Sequence, residues 1–208
     1  MSKIRYTLKN ELKEKKIKVG HAGTLDPLAT GLLIICVGKM TKEIHTFMGQ
    51  EKEYIAQVKF GSTTPSYDLE SDINQTFPTA HITEQSIAAV LPQFLGEIEQ
   101  LPPIFSAIKQ GGVRLYKKAR AGEEVVVASR DIFIREIEIL SFVEQELIIR
   151  VTCGKGTYIR SLAHDLGLAL NSGAHLTGLR RTKIGSYSVE GAKDPIQWCD
   201  HFENTIES

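Results

Sequence analysis

Gly20-His21-Ala22-Gly23-Thr24-Leu25-Asp26-Pro27-Leu28-Ala29-Thr30-Gly31 is the stretch of this chain from which most can be read. A single carboxylate sits among small residues, directly before a proline and just ahead of the apolar run Leu32 to Val37. Proline disfavours helical backbone at the residue before it, so Asp26 belongs to extended or turn structure. Gly20, Ala22, Gly23 and Gly31 keep side-chain bulk away and leave room for a large ligand's backbone. Two readings follow: Asp26 is a presented acid, or it closes an Asx-type turn that leads into a strand. Local chemistry leaves both open.

Outward from that loop, 208 residues with 42% hydrophobic and 24% charged content suit one large domain, 1–208, with a proper core. The longest apolar run is far too short to span a bilayer, and Met1-Ser2-Lys3-Ile4-Arg5 does not resemble a signal peptide. Cys36, Cys153 and Cys199 are odd in number and widely spaced, which argues against a disulfide framework and a zinc site. No membrane, no metal and a cytoplasmic location are expected.

The formal net charge is zero, yet the charges are segregated. Phe60 to Ile108 holds no Lys or Arg, whereas three clusters are basic: Lys3 to Lys18, Lys109 to Arg120 around Tyr116, and Arg150 to Lys183. Each cluster taken singly reads as a solvated face. Together they shift the reading towards a basic face for a polyanion such as RNA or DNA.

Hydrophobic periodicity predicts an amphipathic helix over 3–17, a buried strand over 32–37, helix over 41–48 and a half-buried strand over 54–60. A polar loop over 61–81 follows, then a helix capped by Thr83 and disturbed at Pro92. Beyond it come strands over 97–101, 105–109, 124–127, 132–142 and 146–153, with a short basic helix over 115–121. The clearest helix is 157–170, followed by strands over 175–182 and 186–189 and a last helix near Pro195. This pattern is an α+β fold on a mainly antiparallel mixed sheet flanked by helices.

Several standard sites are absent. Gly31 to Met40 lacks P-loop spacing and its Ser or Thr, and no G-x-G-x-x-G, H-E-x-x-H or G-x-S-x-G occurs. A second constellation, Cys153-Gly154-Lys155-Gly156-Thr157-Tyr158-Ile159-Arg160, sets a basic turn at the start of the strongest helix. Free N–H groups, Lys155 and the helix dipole there suit a phosphate. The alternative is that the glycines only turn the chain and Arg160 is solvated.

These two constellations, with Lys52-Glu53-Tyr54-Ile55 and His175-Leu176-Thr177-Gly178-Leu179-Arg180-Arg181, closely resemble the TruB pseudouridine synthases, in order over about Lys18 to Val189. The resemblance implies the pseudouridine synthase catalytic fold and isomerisation of a uridine, at position 55 in the T-loop of tRNA. It implies Asp26 as nucleophile, Arg160 as its ion-pair partner, and Tyr54 stacking on the uracil and serving as a general base. Tyr158 and Leu179 would line the uracil pocket, His21 would hold the RNA fold, and Lys155 would join Arg160 in holding the anionic site together. A thumb-like insertion, 102–122, would bring Lys109, Arg114, Lys117 and Lys118 to the T arm.

The chemistry needs no cofactor, since one C–N bond is exchanged for one C–C bond without redox change. A monomer acting without guide RNA or metal is expected. Two departures stand out. The chain is expected to lack the family's usual N-terminal K-P-x-G-x-T-S-like segment, and to lack a C-terminal PUA domain. The first raises an alternative: a catalytically impaired protein that binds and remodels tRNA.

Overall fold

Leu147, Ile149, Val151 and Cys153 are buried while Ile148 and Arg150 between them are half-exposed, the period-two signature of a strand with one face on a core. Ala56, Val58 and Phe60 repeat it on the neighbouring strand. The computed structural model describes residues 1–13, 16–106, 109–110, 113–114 and 127–206.

In chain order the elements are α1 (Ser2–Glu11), β1 (Val19–His21), β2 (Thr30–Gly31), β3 (Ile35–Val37), α2 (Ile44–Gly49) and β4 (Lys52–Phe60). Then come β5 (Ser62–Thr63), β6 (Gln75–Thr76), α3 (Glu84–Val90), β7 (Gly96–Gln100), β8 (Lys109–Gln110) and β9 (Val113–Arg114). The chain continues with β10 (Arg130–Val143), β11 (Glu146–Cys153), α4 (Ile159–Ala169), β12 (Ala174–Ile184), β13 (Tyr187–Ser188) and α5 (Pro195–Ile206).

The main sheet runs β13-β12-β4-β11-β10-β7, antiparallel throughout, with β2 added to β12 as a parallel partner. It is the α+β mixed sheet expected. One face is covered by α3 and α4, whose Ile87, Ile159, Leu162, Ala163 and Leu166 join the strand residues in one core. A smaller core gathers Ile4 and Leu8 of α1, Val19 of β1 and Cys199 of α5, with Trp198 and Phe202 packed against it.

Several boundaries differ from the sequence expectation. The first helix ends at Glu11, short of residue 17. The buried strand over 32–37 shrinks to Ile35–Val37, because the Leu32 backbone bonds to Arg181 instead: its N–H donates to the Arg181 carbonyl at 2.8 Å and its carbonyl accepts from Arg181 Nε at 2.8 Å. Residues 101–106 form no strand, against the expectation of one from 105. The polar loop over 61–81 is partly interior: Thr63, Thr64, Ser66 and Asp68 are all buried. Thr83 caps α3 in a reciprocal pair with Ser86. The basic helix over 115–121 and nearly all of the strand over 124–127 lie outside the described residues.

Gly167 lies inside α4, where alanine is normally the better helix former by about 1 kcal/mol. Here a Cβ would stand 2.4 Å from the Ala174 nitrogen and 2.7 Å from the Gly173 carbonyl carbon. The glycine therefore lets α4 approach the start of β12. Gly167→Ala is expected to lower stability by on the order of 2 kcal/mol, since backbone overpacking exceeds the helix-propensity gain. Urea unfolding of the variant at neutral pH measures it, and a stabilised variant would refute the close-approach account.

Candidate active site

Pro27 fixes the turn that presents Asp26. The Asp26 carbonyl accepts from Ala29 N–H at 3.0 Å, so the backbone makes the turn and the carboxylate is left for another partner. That partner is Arg160. Its Nε donates to Asp26 Oδ2 at 2.9 Å and its Nη2 to Oδ1 at 3.2 Å, a fork on both oxygens. The side chain of Arg160 is 4% exposed and that of Asp26 35%, so the cation is interior while the acid faces solvent. The Asp26 carboxylate, gripped by Arg160, is about a third exposed rather than closing an Asx-type turn, and the solvated reading of Arg160 is overturned.

Two further donors of Arg160 go to backbone carbonyls. Nη1 donates to the Ser66 carbonyl at 3.1 Å and Nη2 to the Phe105 carbonyl at 3.1 Å. Asp68 Oδ2 lies 3.6 Å from Nε, in a side chain only 7% exposed. Asp68 is itself held by its loop: its Oδ1 accepts Glu70 N–H at 3.0 Å, and its carbonyl accepts the hydroxyls of Thr64 at 2.7 Å and Ser66 at 3.1 Å. In the sequence Asp68 falls in the stretch expected to be a polar loop, within a region that holds no Lys or Arg. The available signal was the density of hydroxyls, Thr63, Thr64, Ser66 and Ser71, around one aspartate.

Arg181 is the second residue missed. Its side chain is buried, and besides Leu32 it reaches the Gly23 carbonyl through Nη2 at 3.1 Å. These two carbonyls bracket the loop that carries Asp26. Gly31, at φ +100°, lets β2 lie against β12; a Cβ there would stand 2.2 Å from the Arg181 carbonyl oxygen. Tyr54 is opposite Arg181 in the β4–β12 ladder. Burial pushes the Tyr54 phenol up, chiefly by desolvation, with Arg181 opposing. At neutral pH the group is an O–H donor.

These residues border a cleft of about 980 Å³, room for a nucleotide with its neighbours. Asp26, Tyr54, Lys155, Tyr158, Arg160 and Arg181 all line it. Lys52 and Arg130 join them, so five Lys and Arg side chains face three acids, Asp26, Glu70 and Asp131. A recess of about 100 Å³ beside Asp26 brings Tyr54, Tyr158 and Leu179 together as one wall. His21 does not border the cleft; it lies on β1, opposite Ile35 of β3. Lys109 and Arg114 are cross-strand partners in the antiparallel β8–β9 pair, while Lys117 and Lys118 lie outside the described residues. Among the described residues no cluster of three or more His, Cys, Asp or Glu could hold a metal ion.

Behind the Arg160 clamp, Tyr67 adopts φ +63° and stacks on His164, with ring centroids 4.0 Å apart. Burial pushes the adjacent Asp165 carboxyl up to about 6 and His164 down.

Residues 9–159 match the TruB family pseudouridylate synthase N-terminal domain, and residues 160–196 the tRNA pseudouridylate synthase B C-terminal domain. The chain is 60% identical over 195 residues to a tRNA pseudouridine synthase B of Flavobacterium johnsoniae, covering 93% of this chain and 85% of that protein. It is 52% identical over 206 residues to the one of Parabacteroides distasonis, covering 99% and 88%. Among solved structures, a chain of a Cbf5-Nop10-Gar1 complex superposes with a TM-score of 0.64 at 31% identity, covering 89% of this chain and 45% of that one.

Two outcomes follow from the buried charges. Asp68→Ala removes a counter-charge from interior Arg160 and is expected to cost about 2–4 kcal/mol in urea unfolding, with Asp68→Asn costing less because it keeps an acceptor for Glu70 N–H. Equal stability of Asp68→Ala and the unmodified chain would contradict this. For Asp165, a carboxyl near 3.9 when unfolded rises to about 6 when folded. Its contribution to stability is complete below about pH 4 and is lost as pH climbs through about 6. Asp165→Asn is therefore expected to raise stability at pH 8 by on the order of 1 kcal/mol, discounted for partial exposure, and to give no gain at pH 4. Thermal melts at both values decide.

Proposed function

The chain belongs to the TruB family of pseudouridylate synthases, and we propose that it isomerises the T-loop uridine of tRNA, position 55, with Asp26 as the catalytic carboxylate. The observation that carries this reading is the two-pronged Arg160–Asp26 pair at the edge of a basic cleft, beside a recess walled by Tyr54, Tyr158 and Leu179.

The reaction breaks N1–C1′, turns the uracil and forms C5–C1′, with the C5 proton lost and N1 protonated. A carboxylate can act at C1′ or C6, or as a base, and each role needs an ionised oxygen held facing the cleft. Arg160 supplies the opposite charge and the orientation. The target base must leave its stack at a cost of a few kcal/mol, which the aromatic and apolar wall offsets in part. The raised Tyr54 phenol supports the stacking role for that residue over the general-base role.

The names of the relatives support tRNA as substrate. The basic insertion 102–122 is the segment proposed to grip the T arm, with Lys109, Arg114, Lys117 and Lys118 as contacts and Lys155 beside the cleft. We assign one catalytic domain, acting as a monomer on naked tRNA in the cytoplasm, without guide RNA. His21, away from the cleft, is proposed to touch the RNA only outside the uracil pocket.

Asp26→Asn is expected to cut pseudouridine formation in a T-arm transcript by at least about a thousandfold while leaving RNA affinity within about threefold. Pseudouridine mapping together with filter binding reads both. Formation at the unmodified rate would remove Asp26 from the mechanism. An unmodified chain that binds tRNA with no turnover would instead favour the remodelling alternative.

A further inference from the structure

Two side chains outside the assigned set converge on Tyr158. Gln100 of β7 and Arg130 of β10 are directly opposite each other in the β7–β10 ladder. Gln100 is 2% exposed and commits its whole carboxamide to one residue's backbone. Tyr158 N–H donates to Gln100 Oε1 at 2.8 Å, and Gln100 Nε2 donates to the Tyr158 carbonyl at 3.1 Å. This is the reciprocal bonding by which one strand residue holds another, reproduced by a side chain.

The clamp matters because of where Tyr158 stands. It is the N-cap of α4, in extended conformation, and its side chain makes no capping bond. Its position sets the entry of the chain into α4, and so the site of Arg160 two residues later. Fixing the Tyr158 backbone therefore fixes both a wall of the recess and the start of the Arg160 clamp.

Arg130 acts on the ring of the same residue. Its guanidinium carbon lies 5.5 Å from the Tyr158 ring centroid, a cation–π arrangement. Among the described residues Arg130 makes no ion pair, and it borders the cleft near exposed Lys155. A guanidinium placed over a ring by cation–π attraction keeps N–H groups for an anion.

We propose that Gln100 and Arg130 are positioning residues for Tyr158, and that Arg130 also holds a phosphate of the nucleotide that enters the cleft. The proposal rests on the uridine-site reading given above, and the two fail separately. Turnover by the unmodified chain tests that reading, whereas RNA binding tests the phosphate contact even without turnover.

The experiment measures affinity for a T-arm hairpin transcript across a salt series, and the single-turnover rate at saturating RNA. Arg130→Met is expected to weaken binding about tenfold and to reduce the log affinity–log salt slope by about 0.7–0.9, the loss of one phosphate contact. Arg130→Lys is expected to keep the slope yet turn over several-fold more slowly, because charge remains while the planar stack is lost. Gln100→Leu is expected to keep slope and affinity and to lose about tenfold or more in single-turnover rate. Gln100→Glu keeps the acceptor for Tyr158 N–H and removes the donor to its carbonyl. It is expected to fall between, and it decides the question if the leucine variant does not fold. An unchanged salt slope in Arg130→Met overturns the phosphate contact. Full single-turnover rates in a folded Gln100 variant and in Arg130→Lys overturn the positioning role.

Discussion

The site depends on one buried guanidinium. Arg160 is interior, and a cation there is tolerable only if its donors are satisfied and its charge is answered. Four hydrogen bonds and a second carboxylate meet most of that demand: Asp26 takes two, the carbonyls of Ser66 and Phe105 take one each, and Asp68 stands 3.6 Å away. These partners come from three loops far apart in sequence. The arginine therefore acts as the common anchor of those loops, and Asp26 is the one partner left half in solvent. Asp68 shares the charge without reaching the cleft, which leaves Asp26 oriented from below and accessible from above.

Arg181 performs a comparable task for the backbone. It receives Leu32 N–H on its own carbonyl and gives its guanidinium to the carbonyls of Leu32 and Gly23. The Asp26 loop is thus tied at both ends to β12, the strand that also carries Leu179. Two buried arginines, one holding the carboxylate and one holding its loop, give the acid a defined position. Such rigidity suits a reaction in which a base is detached, turned and rejoined within one enclosure.

Much of this was legible in the chain. Alternation of apolar residues marked β4, a strand was expected over β11, and α4 showed its apolar face at helical spacing. Asp26, Tyr54, Lys155, Tyr158, Arg160 and Leu179, named from their motifs, do meet around one cleft and its recess. Other features were not legible for identifiable reasons. Leu32 to Val37 read as a strand because apolar runs look alike whether they pair with a neighbouring strand or with an arginine side chain. The burial of Asp68 within an expected polar loop was not legible, because the Thr64 and Ser66 hydroxyls act on its backbone carbonyl, which has no sequence signature. Gln100 looked like an ordinary strand residue, since its partner Tyr158 lies 58 positions away.

By itself, then, the sequence determined the α+β class, the family, and the residue types able to do the chemistry, because periodicity and contiguous motifs are local properties of the chain. Only the tertiary structure decided that the Asp26 carboxylate pairs with Arg160 instead of closing a turn, that Arg160 is buried, and that Asp68, Arg181 and Gln100 support them. The reason is physical: the cost of burying a charge and the bonds that offset it depend on groups brought together from distant parts of the chain, and no local pattern encodes that meeting.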